Sequence, residues 1–194
     1  MDTGDIKDSK KKPPKKGKQG KSSSRWAVQV FFIAVTLSAA LSFASDQALD
    51  GAGLAVAFVV LLAFILLGIV FDIIGVAVTA ADEKPFHSMA ARKTPGAREA
   101  LNLIRKADKV SSFCNDVVGD ICGIISGSTG AVIVVQIQSA FGMPGMVISL
   151  AVTALTSGLT IGGKALGKSF AIAKSTAVLQ LVGRLLHLFS RKKR

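Results

Sequence analysis

"GAGLAVAFVVLLAFILLGIVFDIIGVAVTAA", Gly51–Ala81, holds a single charged residue, Asp72. A helix needs about 20 apolar residues to cross a hydrocarbon core of about 30 Å, so this run is long enough to span a bilayer. Upstream, "WAVQVFFIAVTLSAALSFA" (Trp26–Ala44) carries no charge. Downstream, one apolar block runs from Ile121 to Val135, extendable backwards through "FCNDVVGD", and another from Met146 to Ile161. The chain has 194 residues, half of them apolar, with a formal net charge of +12, and its charges sit between the blocks. That length suits one domain. The expected fold class is all-α: a polytopic membrane protein with four spans, residues 26–44, about 52–80, 113–135 and 145–162. Two amphipathic helices, about residues 95–109 and 169–190, are expected to lie on the membrane surface.

The basic residues fix the orientation. Nine of the 24 Lys and Arg precede or include Arg25, seven lie between Lys84 and Lys109, and eight lie from Lys164 to Arg194. None falls in "SDQALDG" (Ser45–Gly51) or "QIQSAFGMPG" (Gln136–Gly145). Four helices with both termini in the cytoplasm place every basic residue inside, as the positive-inside rule requires. The expectation is a multi-pass protein of the cell membrane. The stretch "KDSKKKPPKKGKQGKSSS" (Lys7–Ser24) lacks apolar residues, and residues 1–25 read as a disordered basic tail. Contact with anionic lipid head groups is the expected role of that charge, since no aromatic interleaving or folded scaffold supports a nucleic-acid partner. The first apolar block also fits a long signal peptide, with Ser42 and Ala44 near its end, but its length favours a retained helix.

Residues 162–169, "GGKALGKS", match the phosphate-binding pattern G-x-x-x-x-G-K-[ST]. That chemistry needs a loop between a buried strand and a helix, so that free backbone N–H groups wrap the phosphates. Here the preceding "GMVISLAVTALTSGLTI" reads as a spanning helix, and no nucleotide partner is expected. Cys114 and Cys122, eight residues apart on one helix, stand roughly 12 Å apart, too far to bridge. His87 and His187 are isolated in sequence. No nucleophile–base pair or metal-ligand His cluster appears, so the chain does not read as an enzyme.

Ionisable side chains inside a span are costly and need partners. Asp72 lies about eight residues from the cytoplasmic end of its helix, roughly 12 Å deep. Asp116 and Asp120 are four apart, on one face of the next spanning helix, near its cytoplasmic start. The two helices can bring three carboxylates, Asp72, Asp116 and Asp120, to similar depth. Oxygen ligands suit a hard cation such as Mg2+, and Ser112, Asn115, Ser126 and Ser128 can add neutral oxygens or hold water. Two plainer readings compete: Asp116 caps its helix in solvent, and Asp72 pairs with Lys164 from the fourth span. Gly123-x-x-x-Gly127 reads as a close helix approach. In the first surface helix, Thr94 caps and Pro95 opens the first turn, and Ala97, Ala100, Leu101, Ile104 and Ala107 share a face. In the second, Val178, Leu181, Val182, Leu185 and Phe189 share one.

Read at greater length, Phe141–Arg191 resembles the last membrane helix and following helix of the CNNM/CorC transmembrane domain, through Phe141, Gly142, Gly145, Gly163, Lys168 and Ala171. "FDIIGVAVTAADE" (Phe71–Glu83) is similar to that family's F-S-x-S-E-T-A-L-T motif, with Phe71, Ala77 and Thr79 in step. Pro95–Ala131 resembles the region around its second helix. The resemblance implies a homodimeric membrane domain linked to Mg2+ and Co2+ movement, in some members coupled to Na+. It also marks departures. The family's Glu in the first motif is Gly75 here, and in its G-E-x-x-P-K motif the Glu is Lys164 and the Pro is Gly167. Against the family, Trp26–Ala44 reads as an additional helix in front, and no CBS module is expected. Two functions stay open: a divalent-cation transporter or its degenerate form, and a non-transporting membrane protein acting through helix-mediated association with a partner or lipid.

Overall fold

The computed structural model describes residues 20–142 and 144–191, and these are all-α. The chain forms α1 (Gly20–Leu49), α2 (Leu54–Ala80), α3 (Glu83–Ala91), α4 (Ala97–Ile104) and α5 (Ala107–Ser112). A π-helical stretch (Phe113–Gly119) then leads into α6 (Asp120–Phe141), α7 (Gly145–Ala173) and α8 (Ser175–Arg191). Trp26–Leu49, Leu54–Ala80, Ala107–Phe141 and Gly145–Ala173 are each long and apolar enough to cross a membrane. Residues 1–19 of the expected tail, and Lys192–Arg194, lie outside the described residues.

The breaks follow from backbone chemistry. Gly51 (φ 64°) turns the chain between α1 and α2, and Gly142 (φ 64°) ends α6, its N–H donating to Gln138 O at 2.9 Å. A glycine in the left-handed region stops a helix at little steric cost. At that same end of the bundle Gln136 Nε2 donates to Ala52 O at 3.1 Å, tying α6 to the α1–α2 turn. At the other end Asp82 caps α3, its side chain accepting from Lys84 N at 3.1 Å.

The most apolar helix, α2, is the centre of the bundle and packs chiefly on α6 and α7. Ala57, Leu61 and Ile65, one turn apart on α2, are buried with Ile133 of α6. Val117, Ile121 and Ile125 receive α1 through Val30, Ala34, Leu37 and Leu41. The α2–α7 approach is set by two glycines: Gly163 packs against Ile69 and Gly167 against Ile73. Missing side chains at these positions let the backbones close, the device expected in lipid, where helices gain nothing from hydrophobic exclusion. Gly68 seats Cys122 in the same way. Gly123 and Gly127, expected to make such an approach, have nothing within 4 Å of where a Cβ would stand. That expectation fails within the chain because the buried side of α6 is Cys122–Ile125–Ser126–Thr129 instead.

A third cluster, Ala77, Val78, Phe86, Ala100, Leu101, Ala171 and Leu179, gathers the C-terminal end of α2 with α3, α4, α7 and α8. The expected 95–109 helix is two pieces, α4 and α5, broken at Arg105–Lys106, and α3 was not anticipated. The cap of α4 is Gly96 (φ 85°), two residues past Thr94, because Gly96 meets the backbone of Gly183 and Arg184 too closely for any side chain. The expected 169–190 helix starts at Ser175. Nothing interrupts α7 at residue 162, and the spanning helix runs on to Ala173. Leu179 and Gly183 face the bundle, whereas Leu181, Leu185 and Phe189 are exposed.

Candidate intramembrane ion site

The lone charge of α2 is buried: Asp72 is 4% exposed. Its partner is Lys168, with Nζ 3.9 Å from Oδ2, a separation beyond a hydrogen bond, and Oδ2 accepts none. The expected partner, Lys164, sits one turn earlier on α7 and points its Nζ towards Gly119, 3.5 Å from where a methyl there would stand. The glycine contacts explain the shift. With Gly163 on Ile69 and Gly167 on Ile73, Asp72 stands level with a point on α7 midway between the two lysines. Because helix side chains lean towards the N-terminus, Lys168 leans towards Asp72 and Lys164 away from it. The Asp72–Lys164 pair is therefore replaced by Asp72–Lys168.

One turn along the same face of α2, Gly75 opens a space that the Asn115 side chain fills, since a methyl at position 75 would collide with Asn115 Oδ1. Asn115 Nδ2 donates to Ser111 Oγ at 3.3 Å, while its Oδ1 is buried without a partner. Asn115 sits inside the π-helical stretch Phe113–Gly119. A π-turn adds one residue to the helical repeat and is found often at functional sites. Two buried side-chain oxygens without hydrogen-bond partners thus lie at adjacent turns of α2, the Asp72 carboxylate beside Lys168 of α7 and the Asn115 amide from the third span.

The other candidates stand apart. Ser112 Oγ donates to Asp116 Oδ2 at 2.6 Å, and both Asp116 and Asp120 are exposed. Among the described residues no three of His, Cys, Asp and Glu are grouped to hold a metal. The three-carboxylate cluster does not form, because the face of the third span turned to α2 carries Asn115 and Cys122, not the aspartates. Gly167 is buried against Ile73, and Lys164 is half-buried. Cys114 and Cys122 are both buried and free. The stretch "GGKALGKS" lies wholly within α7, so its backbone N–H groups serve the helix and form no phosphate-wrapping loop.

What fits such a site is a small hard cation, which takes carboxylate and amide oxygens and keeps some of its water. The residues sequence reasoning missed are Lys168 and the Gly75–Asn115 interlock. The signal for Lys168 was present in its spacing of four from Lys164 and its place beside the Gly163-x-x-x-Gly167 ridge. For the interlock no local signal exists. No family model, curated protein or solved structure matches this chain.

Proposed function

We propose that this chain is a cation-handling multi-pass protein of the cell membrane, with both termini cytoplasmic, in which Asp72 binds the ion as it crosses. The observation that carries this reading is the buried, incompletely partnered Asp72 Oδ2 within a spanning helix. An ionisable group at that depth is a functional site by default, because leaving it there has a standing energetic cost. Asn115 Oδ1 adds a second free oxygen, and the π-turn gives the interface a segment that can change register. The likeness to the CNNM/CorC membrane domain supports Mg2+ as the first ion to test and a homodimer as the working form. Anionic lipid is the partner of the basic ends.

A second reading is favoured by one observation, the Lys168 ammonium beside Asp72. In it the pair is structural, and the protein acts by helix-mediated association with a partner or lipid.

Mg2+ flux into proteoliposomes, with and without a Na+ gradient, separates the two. Under the cation reading the purified chain raises flux above protein-free vesicles and Asp72→Asn abolishes the increase. Flux indistinguishable from empty vesicles under both conditions, or unaffected by Asp72→Asn, rejects it.

A further inference from the structure

We propose that Lys168 is a tethered counter-ion, which occupies the Asp72 carboxylate until a cation displaces it and so sets the affinity of the site and the charge of the ion it admits. This rests on the cation reading of Asp72. Three observations carry it. The pair is unequal: the Asp72 side chain is 5% exposed and Lys168 is 53% exposed. The carboxylate is held in the interface, while the ammonium, on a flexible four-carbon stem, is free to swing out. Second, the contact is loose. At 3.9 Å, with no hydrogen bond to Oδ2, the ammonium balances the charge without filling the coordination position. Third, Lys168 lies near the end of α7, within two turns of Ala173, so a displaced ammonium reaches the membrane surface by extending its stem.

The charge count then bears on selectivity. Lys164 points into the neighbouring junction, towards Gly119, which lies against Gly68 one turn of α2 from Asp72, so a second ammonium stands about one turn from the buried carboxylate. Exchanging Lys168 for a monovalent cation leaves the local charge unchanged. Exchanging it for a divalent one adds a positive charge in a medium that screens poorly. Repulsion from a nearby ammonium also doubles with the charge of the ion. Lys168 therefore weakens every cation and weakens Mg2+ most.

The test is thermal unfolding of the full chain in detergent at constant ionic strength, titrating NaCl or MgCl2 against choline chloride. A ligand that binds the folded state raises the melting temperature with its concentration. Lys168→Gln is expected to lower the Mg2+ midpoint at least about tenfold, with a smaller gain for Na+, and Asp72→Asn to remove both responses. An unchanged Mg2+ midpoint in Lys168→Gln, with the response still lost in Asp72→Asn, overturns the counter-ion role and leaves the cation reading standing. No ion response in wild type and Lys168→Gln, or a response that survives Asp72→Asn, removes the cation reading itself and the counter-ion with it. Should Lys168→Gln fail to fold, Lys168→Arg serves. Its guanidinium can grip the carboxylate through two hydrogen bonds and should raise both midpoints at least about tenfold. Unchanged midpoints in that variant overturn the proposal.

Discussion

At the scale of single residues, the asymmetry of the Asp72–Lys168 pair makes an asymmetric prediction. Lys168→Gln strands a buried carboxylate, whereas Asp72→Asn leaves a lysine on the outer surface of the bundle that can extend to the membrane surface. In ion-free buffer Lys168→Gln should cost about 1–3 kcal/mol in detergent unfolding, and Asp72→Asn much less. Equal losses would show that the two side chains are equally confined, contrary to their exposures. A second prediction concerns Gly75. Adding a methyl there drives it into Asn115 Oδ1, so Gly75→Ala should destabilise by about 1–3 kcal/mol. Asn115→Ala in the same chain should recover most of that loss; a double variant no better than Gly75→Ala would mean the clash is with backbone. Asp72 was visible in the sequence because a charge in an apolar run is conspicuous. Asn115 was visible as a polar residue of the next span. That Gly75 exists to receive it was not, because a glycine's neighbour across an interface leaves no trace in the glycine.

At the scale of elements, α8 is held to the bundle by a seam with α4. Gly96 and Gly183 touch backbone to backbone, and His187 Nδ1 donates to Glu99 Oε1 at 2.8 Å. Gly183→Ala would push its methyl into Gly96 O and is expected to loosen α8, read as faster hydrogen exchange across residues 175–189 with α2 unaffected. Uniform acceleration in α2 as well would mean the seam supports the whole bundle. The seam also carries a pH dependence. Burial pushes the Glu99 carboxyl up, but the hydrogen bond and charge of His187, with Arg98 nearby, outweigh it and hold the group below its ordinary value of 4.5. A carboxylate with a depressed folded-state pKa contributes stability at all pH above its unfolded value and loses it as pH falls through the folded one. Protection of α8 should accordingly hold from pH 7 to 5 and fall below 4.5, and Glu99→Gln should abolish that fall. The amphipathic pattern foretold helices here, and Ala97, Ala100 and Leu101 are buried as it required. It did not foretell α3, the break between α4 and α5, or the π-turn. Each arises where the chain bends from the surface into the bundle, and a bend is dictated by what it packs against.

At the scale of the whole molecule, the distribution of charge predicts orientation. A membrane-impermeant label on a cysteine placed at Asp46, in the last turn of α1, should react from outside intact cells, and one at Ser88, on α3, only after permeabilisation. External labelling at Ser88 would reverse the orientation. The spans, their number and the surface helices were legible from the sequence because transfer from water to hydrocarbon is close to a sum over single residues, and runs of apolar residues report it directly. Which side chains meet inside was not legible. Lys164 and Lys168 are both within reach of α2 by composition alone. Gly163 on Ile69 and Gly167 on Ile73 set Asp72 level with a point midway between them, and the N-terminal lean of helix side chains brings Lys168 to it. Asp116 and Asp120 share a periodicity with a buried face yet are exposed, because rotation of the third span about its axis is set by Cys122 against Gly68 and Asn115 against Gly75. Position along the membrane normal is a local free energy, and so it is written in the chain. Register and rotation between helices depend on steric fit between segments distant in sequence, and only the assembled bundle decides them.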